Sequence, residues 1–252
     1  MMKTSVALVT YNSEKYLREQ IDTILTNLQT GDEIVVSDDG SSDSTLAILN
    51  EYSLKDHRVR IFQIPHSGCN ANYENAISHC TGDVIFLSDD DNVWMNGKVA
   101  KVLKAFEDHP EVWFIQHDCL VGDSSLKVIS DSYYRDRKAK PGLFRNIMKT
   151  SYGGSLIAFR KELTKRILPF PKKMPFFYDE WIGLEATKHG KVLFIADKLS
   201  IWRRHEGSAS TGYISPDGQV VAKKKKKIKG SFRRAWERVS TRLVKIWWTF
   251  VK

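Results

Sequence analysis

Three short clusters of polar residues each follow an apolar run, and their composition suits them to binding and chemistry. They are Thr10-Tyr11-Asn12, Ser37-Asp38-Asp39-Gly40-Ser41 and Ser88-Asp89-Asp90-Asp91-Asn92. Carboxylates a few ångströms apart repel and raise one another's pKa, so such a concentration requires a cation or hydrogen-bond donors nearby. Two aspartates one residue apart at a strand end present oxygens suited to Mg2+ or Mn2+, which prefer oxygen ligands and keep open positions for phosphate. Asp89 and Asp91 are therefore candidates for a metal grip. The plainer alternative is that Asp-rich stretches serve as loop residues and helix caps. Further along, Ser-Tyr-Gly-Gly-Ser at 151–155 carries the paired Gly153 and Gly154, which permit close backbone approach to a ligand and are expected to border one. His117-Asp118 is another polar pair after an apolar run, expected to position a substrate.

The elements that would carry these clusters alternate between strand and helix. Apolar runs at 5–11, 33–40, 58–64 and 83–88 read as buried strands. Between them, Leu17, Ile21, Ile24, Leu25 and Leu28 recur at helical spacing after a candidate cap, Ser13, and Leu46, Ile48, Leu49 and Tyr52 do so after the second strand. A third helix is expected over 70–80. Alternation of this kind predicts right-handed crossovers and a mainly parallel α/β sheet flanked by helices on both faces. Such sheets bind ligands beyond the carboxyl ends of their strands, where the three clusters fall. The second half is less regular. Helices are expected near 96–108, 161–167 and 179–189, with strands near 112–116, 154–159, 191–195 and 199–204. Direct strand-to-strand connections there predict a mixed sheet continuing the first, within one fused domain spanning 1–222. No repeat of 20 to 50 residues recurs, which excludes a solenoid.

Thr10-Tyr11-Asn12, VVSDDGSSDST at 35–45, Gly68 to Asn72, FLSDDDNVW at 86–94, YDEW at 178–181 and WRRHEGSAS at 202–210 together resemble the family 2 glycosyltransferases of the GT-A fold. SDDDNVW resembles the SDQDDVW of bacterial members that transfer rhamnose or similar sugars, departing by Asp90 for Gln and Asn92 for Asp. The resemblance implies an inverting, metal-dependent transfer of a sugar from a UDP- or dTDP-type donor to a glycan or lipid-linked acceptor in bacterial surface polysaccharide synthesis. Thr10, Tyr11, Asn12 and Asn72 would line the nucleotide pocket, and Asp38 or Asp39 would accept hydrogen bonds from the base. Asp91, Asp89 and His205 would hold Mn2+ or Mg2+ against the donor diphosphate, with Arg203 and Asp90 near the phosphates. The metal would take up the charge that grows on the departing diphosphate. Asp179 of YDEW would be the base that takes the acceptor proton, Glu180 being the alternative. Trp94 and Trp181, inside matched motifs, would offer apolar walls to the acceptor, which Gly153 and Gly154 would border.

Length and composition set the remaining bounds. With 252 residues, 42% apolar and 11% aromatic, the chain can bury a sizeable core, which excludes a wholly disordered protein. Its apolar runs are shorter than the roughly 20 residues a membrane-crossing helix needs, and the start lacks a cleavage signal, so a cytoplasmic location is expected. Cys69, Cys80 and Cys119 form no CxxC and are expected as packing residues in a reducing compartment. The net charge of +9 is unevenly placed: residues 223–252 hold 12 Lys or Arg against the single acid Glu237, for +11, leaving 1–222 at −2. Within 223–252, Phe232, Trp236, Val239, Leu243, Ile246, Trp247 and Phe250 step by three or four, predicting a basic amphipathic helix that attaches the protein peripherally to the anionic inner face of the cell membrane. A nucleic-acid partner is not expected, because the rest of the chain is near neutral and lacks a nucleic-acid fold signature. No GxxxxGK[ST] is present, which argues against a P-loop kinase or ATPase. Two rivals stand beside the transferase: a haloacid-dehalogenase-like phosphohydrolase using Asp89 and Asp91, and a catalytically inactive membrane-bound scaffold.

Overall fold

The computed structural model describes residues 2–172, 174 and 176–206, together with the backbone of 213–214 and 220–221. In chain order the elements begin β1 (Thr4–Thr10), α1 (Leu17–Leu25), β2 (Glu33–Asp38), α2 (Thr45–Lys55), β3 (Val59–Gln63), α3 (Cys69–Ser78) and β4 (Val84–Ser88). There follow β5 (Val93–Trp94), α4 (Lys98–Asp108), β6 (Val112–Gly122), β7 (Val128–Ser130), α5 (Tyr133–Arg137) and α6 (Leu143–Met148). The rest are β8 (Ile157–Arg160), α7 (Thr164–Ile167), α8 (Tyr178–His189), β9 (Lys191–Arg203) and a backbone hairpin of β10 (Tyr213–Ile214) and β11 (Val220–Val221).

One nine-stranded sheet runs β3-β2-β1-β4-β8-β6-β9-β5, with β7 paired to β6. The first four strands are parallel. Beyond them β8 is antiparallel to both β4 and β6, β6 and β9 are parallel, and β5 is antiparallel to β9. A parallel half continued by mixed strands is thus the architecture that the chain order predicts.

The period-two alternation of the strands builds two cores, one on each face. On one face Val6, Leu8, Ile34, Val36 and Phe86 meet Leu17, Ile21 and Ile24 of α1, Ile48 and Leu49 of α2, and Val102 and Phe106 of α4. On the other, Ala7, Val9, Val35, Ile85 and Leu87 meet Tyr73, Ala76 and Ile77 of α3 and Trp181, Ile182 and Ala186 of α8. Every residue of β1, β2 and β4 is buried. Their polar ends are therefore fixed by packing on both sides.

Three local expectations change. Helix α1 starts at Leu17 and Ser13 does not cap it with its side chain, because the Ser13 hydroxyl accepts from Tyr11 N and donates to Asp90; only the Ser13 carbonyl serves the helix, accepting from Leu17 N at 3.2 Å. The strands expected at 191–195 and 199–204 are one strand, β9, because the long partner β6 absorbs the mismatch through register shifts around Asp118. The strand expected from 154 starts at Ile157, after a single tight turn over Gly154–Leu156. No helix among the described residues is long and apolar enough to cross a membrane. The amphipathic segment expected at 223–252, and with it the domain boundary at 222, lies outside the described residues.

Candidate active site

The carboxyl ends of β1, β2 and β4 stand side by side because their registers match: Thr10 lies opposite Asp38, and Leu8 opposite Ser88. They form the floor of a cleft of about 1110 Å3 lined on this side by Thr10, Tyr11, Asn12, Asp39 and Asn72. Asp38 is the exception. It is fully buried beneath the loop, where it accepts from Thr10 Oγ1 at 2.8 Å, Ser41 N at 2.9 Å and Ser41 Oγ at 2.5 Å, and it does not reach the cleft. The expectation that either aspartate meets the base thus narrows to Asp39. Its carboxylate accepts from Ser67 N at 2.7 Å and Gly68 N at 3.0 Å and lies 3.0 Å from His66 Nδ1, which ties the loop after β3 to the cleft. Tyr11 stacks on His66 with ring centroids 4.5 Å apart. Asn12, in the left-handed region at φ 51°, accepts from Ser42 N, and Asn72 donates to the Thr10 carbonyl at 3.1 Å, its own amide oxygen buried and unpartnered.

The acidic cluster after β4 lines the next stretch of wall. Asp89 accepts from Tyr73 Oη at 2.8 Å, and Asp90 accepts from Ser13 Oγ. Burial first, and the charge of Asp91 second, push both Asp89 and Asp90 well above the ordinary aspartate range. Asp91 meets His205, with Nε2 2.9 Å from Oδ2. No group of three His, Cys, Asp or Glu side chains among the described residues forms a ready-made metal cage. The donor set still fits a divalent cation. Asp91 and His205 offer an oxygen and an imidazole nitrogen in contact, the carboxylates of Asp89 and Asp90 line the same cleft, and a diphosphate would supply further oxygens.

Arg203 departs from its expected role beside the phosphates. Only 3% exposed, its guanidinium donates to the carbonyls of Asp91 and Ser124, each at 2.8 Å, pairs with Glu19 and lies 4.4 Å from the Tyr16 ring centroid. Its Nε, Nη1 and Nη2 each donate within the protein, so it is a strut that fixes the acidic loop. Asn92, where the resembled motif has Asp, accepts from Arg203 N at 3.1 Å and belongs to the same strut.

Asp179, in the first turn of α8, lines the same cleft. Burial, then the charges of Glu180 and Asp89, raise its carboxyl to about 7. Glu180, the alternative base, is not among the lining residues. The start of α8 is held by Asn70, which accepts from Tyr178 N at 2.9 Å and donates to the Phe176 carbonyl at 3.1 Å. Tyr178 stacks on Tyr73 at 3.7 Å and passes beneath Gly154, where a Cβ would fall 1.8 Å from the Tyr178 hydroxyl. Glycine at 154 lets the Tyr178 ring sit where it does, and both Gly154 and Gly153 line the cleft.

Four other expectations change. Trp181 is 7% exposed, donates to the Ile167 carbonyl at 3.0 Å and belongs to the core, not to the acceptor wall. Trp94, 2% exposed, packs between Phe86 and the Lys98 ammonium, 3.9 Å from its ring, and lies behind the acidic cluster. Both motif tryptophans fill the core because neighbouring apolar faces claim them. His117 and Asp118 are buried in β6; Asp118 accepts from Ser132 Oγ, Tyr134 N and Cys119 N, which anchors α5 and leaves no side for a substrate. Cys69, expected to be packed, is instead exposed at the cleft, where the surrounding protein and the charges of Asp89 and Asp179 push its thiol up.

Sequence reasoning missed Ser13, His66, Tyr73 and Tyr178, which hold the acids and the base loop. Tyr178 stands directly before Asp179, and Tyr73 directly after Asn72, so adjacency was the available signal. It also missed a basic end of the cleft at Arg137 and Lys149, near Tyr133 and Trp202.

The model of the family described as Glycosyl transferase family 2 matches residues 5–168. The GalNAc(5)-diNAcBac-PP-undecaprenol beta-1,3-glucosyltransferase of Campylobacter jejuni is 27% identical over 194 residues, covering 74% of this chain and 58% of its own. The structure of Staphylococcus aureus TarS 1-349 with UDP-GlcNAc superposes with a TM-score of 0.68 at 20% identity, covering 98% of this chain and 67% of that one. A mannosyltransferase of Pyrobaculum calidifontis, solved with GDP-Man and Mn2+, gives 0.60 at 19% identity, covering 82% and 58%. The chain spans 71% and 58% of the length of the first two curated relatives it matches.

Proposed function

The chain belongs to the family 2 glycosyltransferases, and from that premise we propose that it is an inverting, metal-dependent enzyme. It moves a sugar from a UDP- or dTDP-linked donor to a hydroxyl of a glycan or lipid-linked acceptor in bacterial surface polysaccharide synthesis. The observation that carries the reading is that Asp179, on α8, faces the same cleft as Asp89, Asp90 and Asp91, on the loop after β4, close enough for Asp89 to raise its pKa. The UDP-GlcNAc bound to TarS and the GDP-Man and Mn2+ bound to the Pyrobaculum enzyme support it.

In this reading Asp39 accepts from the base of the donor, Tyr11 and His66 flank it, and Asn12 and Asn72 shape the loop beneath. Asp91 and His205, with Asp89 nearby, would hold Mn2+ or Mg2+, which would supply positive charge for the leaving diphosphate. The acceptor oxygen attacks the anomeric carbon from the side opposite the diphosphate. The bond from that carbon to the phosphate oxygen breaks, and the acceptor proton passes to Asp179. A carboxyl held near 7 is well matched to that task, being partly ionised at neutral pH yet basic enough to retain the proton. The phosphohydrolase rival is set aside because the strand carrying Asp89 and Asp91 is the fourth in the chain and lies within the matched family region.

Comparison of Asp179→Asn with Glu180→Gln tests the assignment. We expect Asp179→Asn to lower transfer by about 10²- to 10⁴-fold with donor affinity nearly intact, and Glu180→Gln to keep most of its activity. Full activity in Asp179→Asn with loss in Glu180→Gln would move the base to Glu180.

A further inference from the structure

The lip of the cleft carries features that the transfer chemistry does not use. Residues 137–150 hold five bases, Arg137, Lys138, Lys140, Arg145 and Lys149, and no acid. Within this stretch α6 presents Phe144 and Met148, one helical turn apart, 76% and 53% exposed. Phe177, 62% exposed, stands at the start of α8, on which α6 packs. The lip is held in shape by its own hydrogen bonds. The Asn146 amide donates to the carbonyls of Lys140 and Gly142 and accepts from Ser151 N, while Ser151 Oγ accepts from Lys140 N. Lys149, Thr150 and Phe177 also line the cleft, so the lip and the site are continuous.

We propose that this lip docks on an anionic lipid surface, so that the cleft opens toward the headgroups and receives an acceptor carried by the membrane. Large apolar side chains beside a base-rich stretch match such a surface: rings and thioether enter the acyl boundary while ammonium and guanidinium groups stay with the phosphates. The source of the acceptor rests on the transfer reading above; the docking itself does not. Other occupants fit less well. A second copy would set five bases against five, and three apolar side chains fall far short of the roughly 800 Å2 per partner that a stable interface buries. Residues 223–252, with 12 bases against one acid, are opposed by the same charge.

The test uses the full chain with phosphatidylcholine vesicles, with and without phosphatidylglycerol. The variants are Phe144→Ser/Met148→Ser and Lys138→Gln/Lys140→Gln, none of them in the cleft wall. The parent protein is expected to sediment with the phosphatidylglycerol vesicles and not with the neutral ones. Each double variant should bind them roughly tenfold to thirtyfold more weakly, with an unchanged thermal midpoint and unchanged nucleotide-sugar hydrolysis. Unchanged binding in both variants would overturn the proposal and put any anchor elsewhere, residues 223–252 included. So would a dimer, seen without vesicles, that the Phe144→Ser/Met148→Ser change dissolves. Binding that depends on the lip in a protein without any donor turnover would sink the transferase reading and leave the docking standing.

Discussion

Glu33, at the amino end of the central parallel strands, and the acids that follow β4 at their carboxyl end are treated in opposite ways. At the amino end, Glu33 at the start of β2 accepts from Ser5 Oγ at 2.6 Å, Thr81 N at 2.6 Å, Thr81 Oγ1 at 2.7 Å and Arg60 at 2.6 Å. Burial alone would push this carboxyl up, yet those donors together hold it down to about 2. At the carboxyl end, Asp89 and Asp90 are pushed up by burial and by Asp91, and the donors there, Tyr73, Ser155 and Asn92 for Asp89 and Ser13 for Asp90, do not offset it. The difference teaches how to tell a structural acid from a working one: the first has its donors supplied by the fold, whereas the second is left for a ligand to complete.

Substitutions at the two ends should therefore split activity from stability. Asp91→Asn is expected to lower transfer by about 10³-fold, while its thermal midpoint stays level or rises because repulsion in the acidic loop falls. Steady-state rates and a melting curve on the same sample check both. A large loss of stability there would erase the contrast. Glu33→Gln should do the reverse, destabilising by about 2 to 3 kcal/mol with the turnover of the folded fraction preserved, as denaturant titration would show. Because the folded Glu33 pKa lies below its unfolded value, this contribution is full above about 4.5 and is lost as pH falls toward 2.

The pH profile sharpens the comparison further. Asp179, raised to about 7, must be ionised if it is the base we propose, so kcat/KM should fall about tenfold per unit as pH drops below that value. A limb set near the ordinary aspartate range would detach the base from this buried wall. The smallest effect is expected of Gly154→Ala, whose Cβ must displace the Tyr178 ring next to Asp179. We expect activity reduced by roughly tenfold at most, with donor affinity retained. Equal losses in donor affinity and rate would show that the Tyr178 wall serves the nucleotide as well.

The parallel half of the fold was legible because its strands are continuous apolar runs with polar ends, a pattern that register converts directly into a site: Thr10, Asp39, Asp89 and Asp91 all reached the cleft. Asp38 and Asp39 were not separable from sequence, since which of two neighbours faces a ligand depends on the strand's last half-turn of pleat. Arg203 and the motif tryptophans misled for a related reason. A guanidinium or an indole suits a phosphate or a sugar, but equally a run of backbone carbonyls or an apolar core, and only the neighbours decide. Tyr73 and Tyr178 were hidden because their partners, Asp89 and Gly154, are distant in the chain.

The central claim is that the acidic end of this cleft completes itself with a cation and an activated sugar. It is tested most directly by measuring nucleoside diphosphate released from a panel of nucleotide sugars by the full chain, with Mn2+ or Mg2+ and with chelator. The account predicts release from at least one UDP- or dTDP-linked sugar that requires the cation and disappears in Asp91→Asn. Release that is indifferent to chelator, or insensitive to the loss of Asp91, would contradict it.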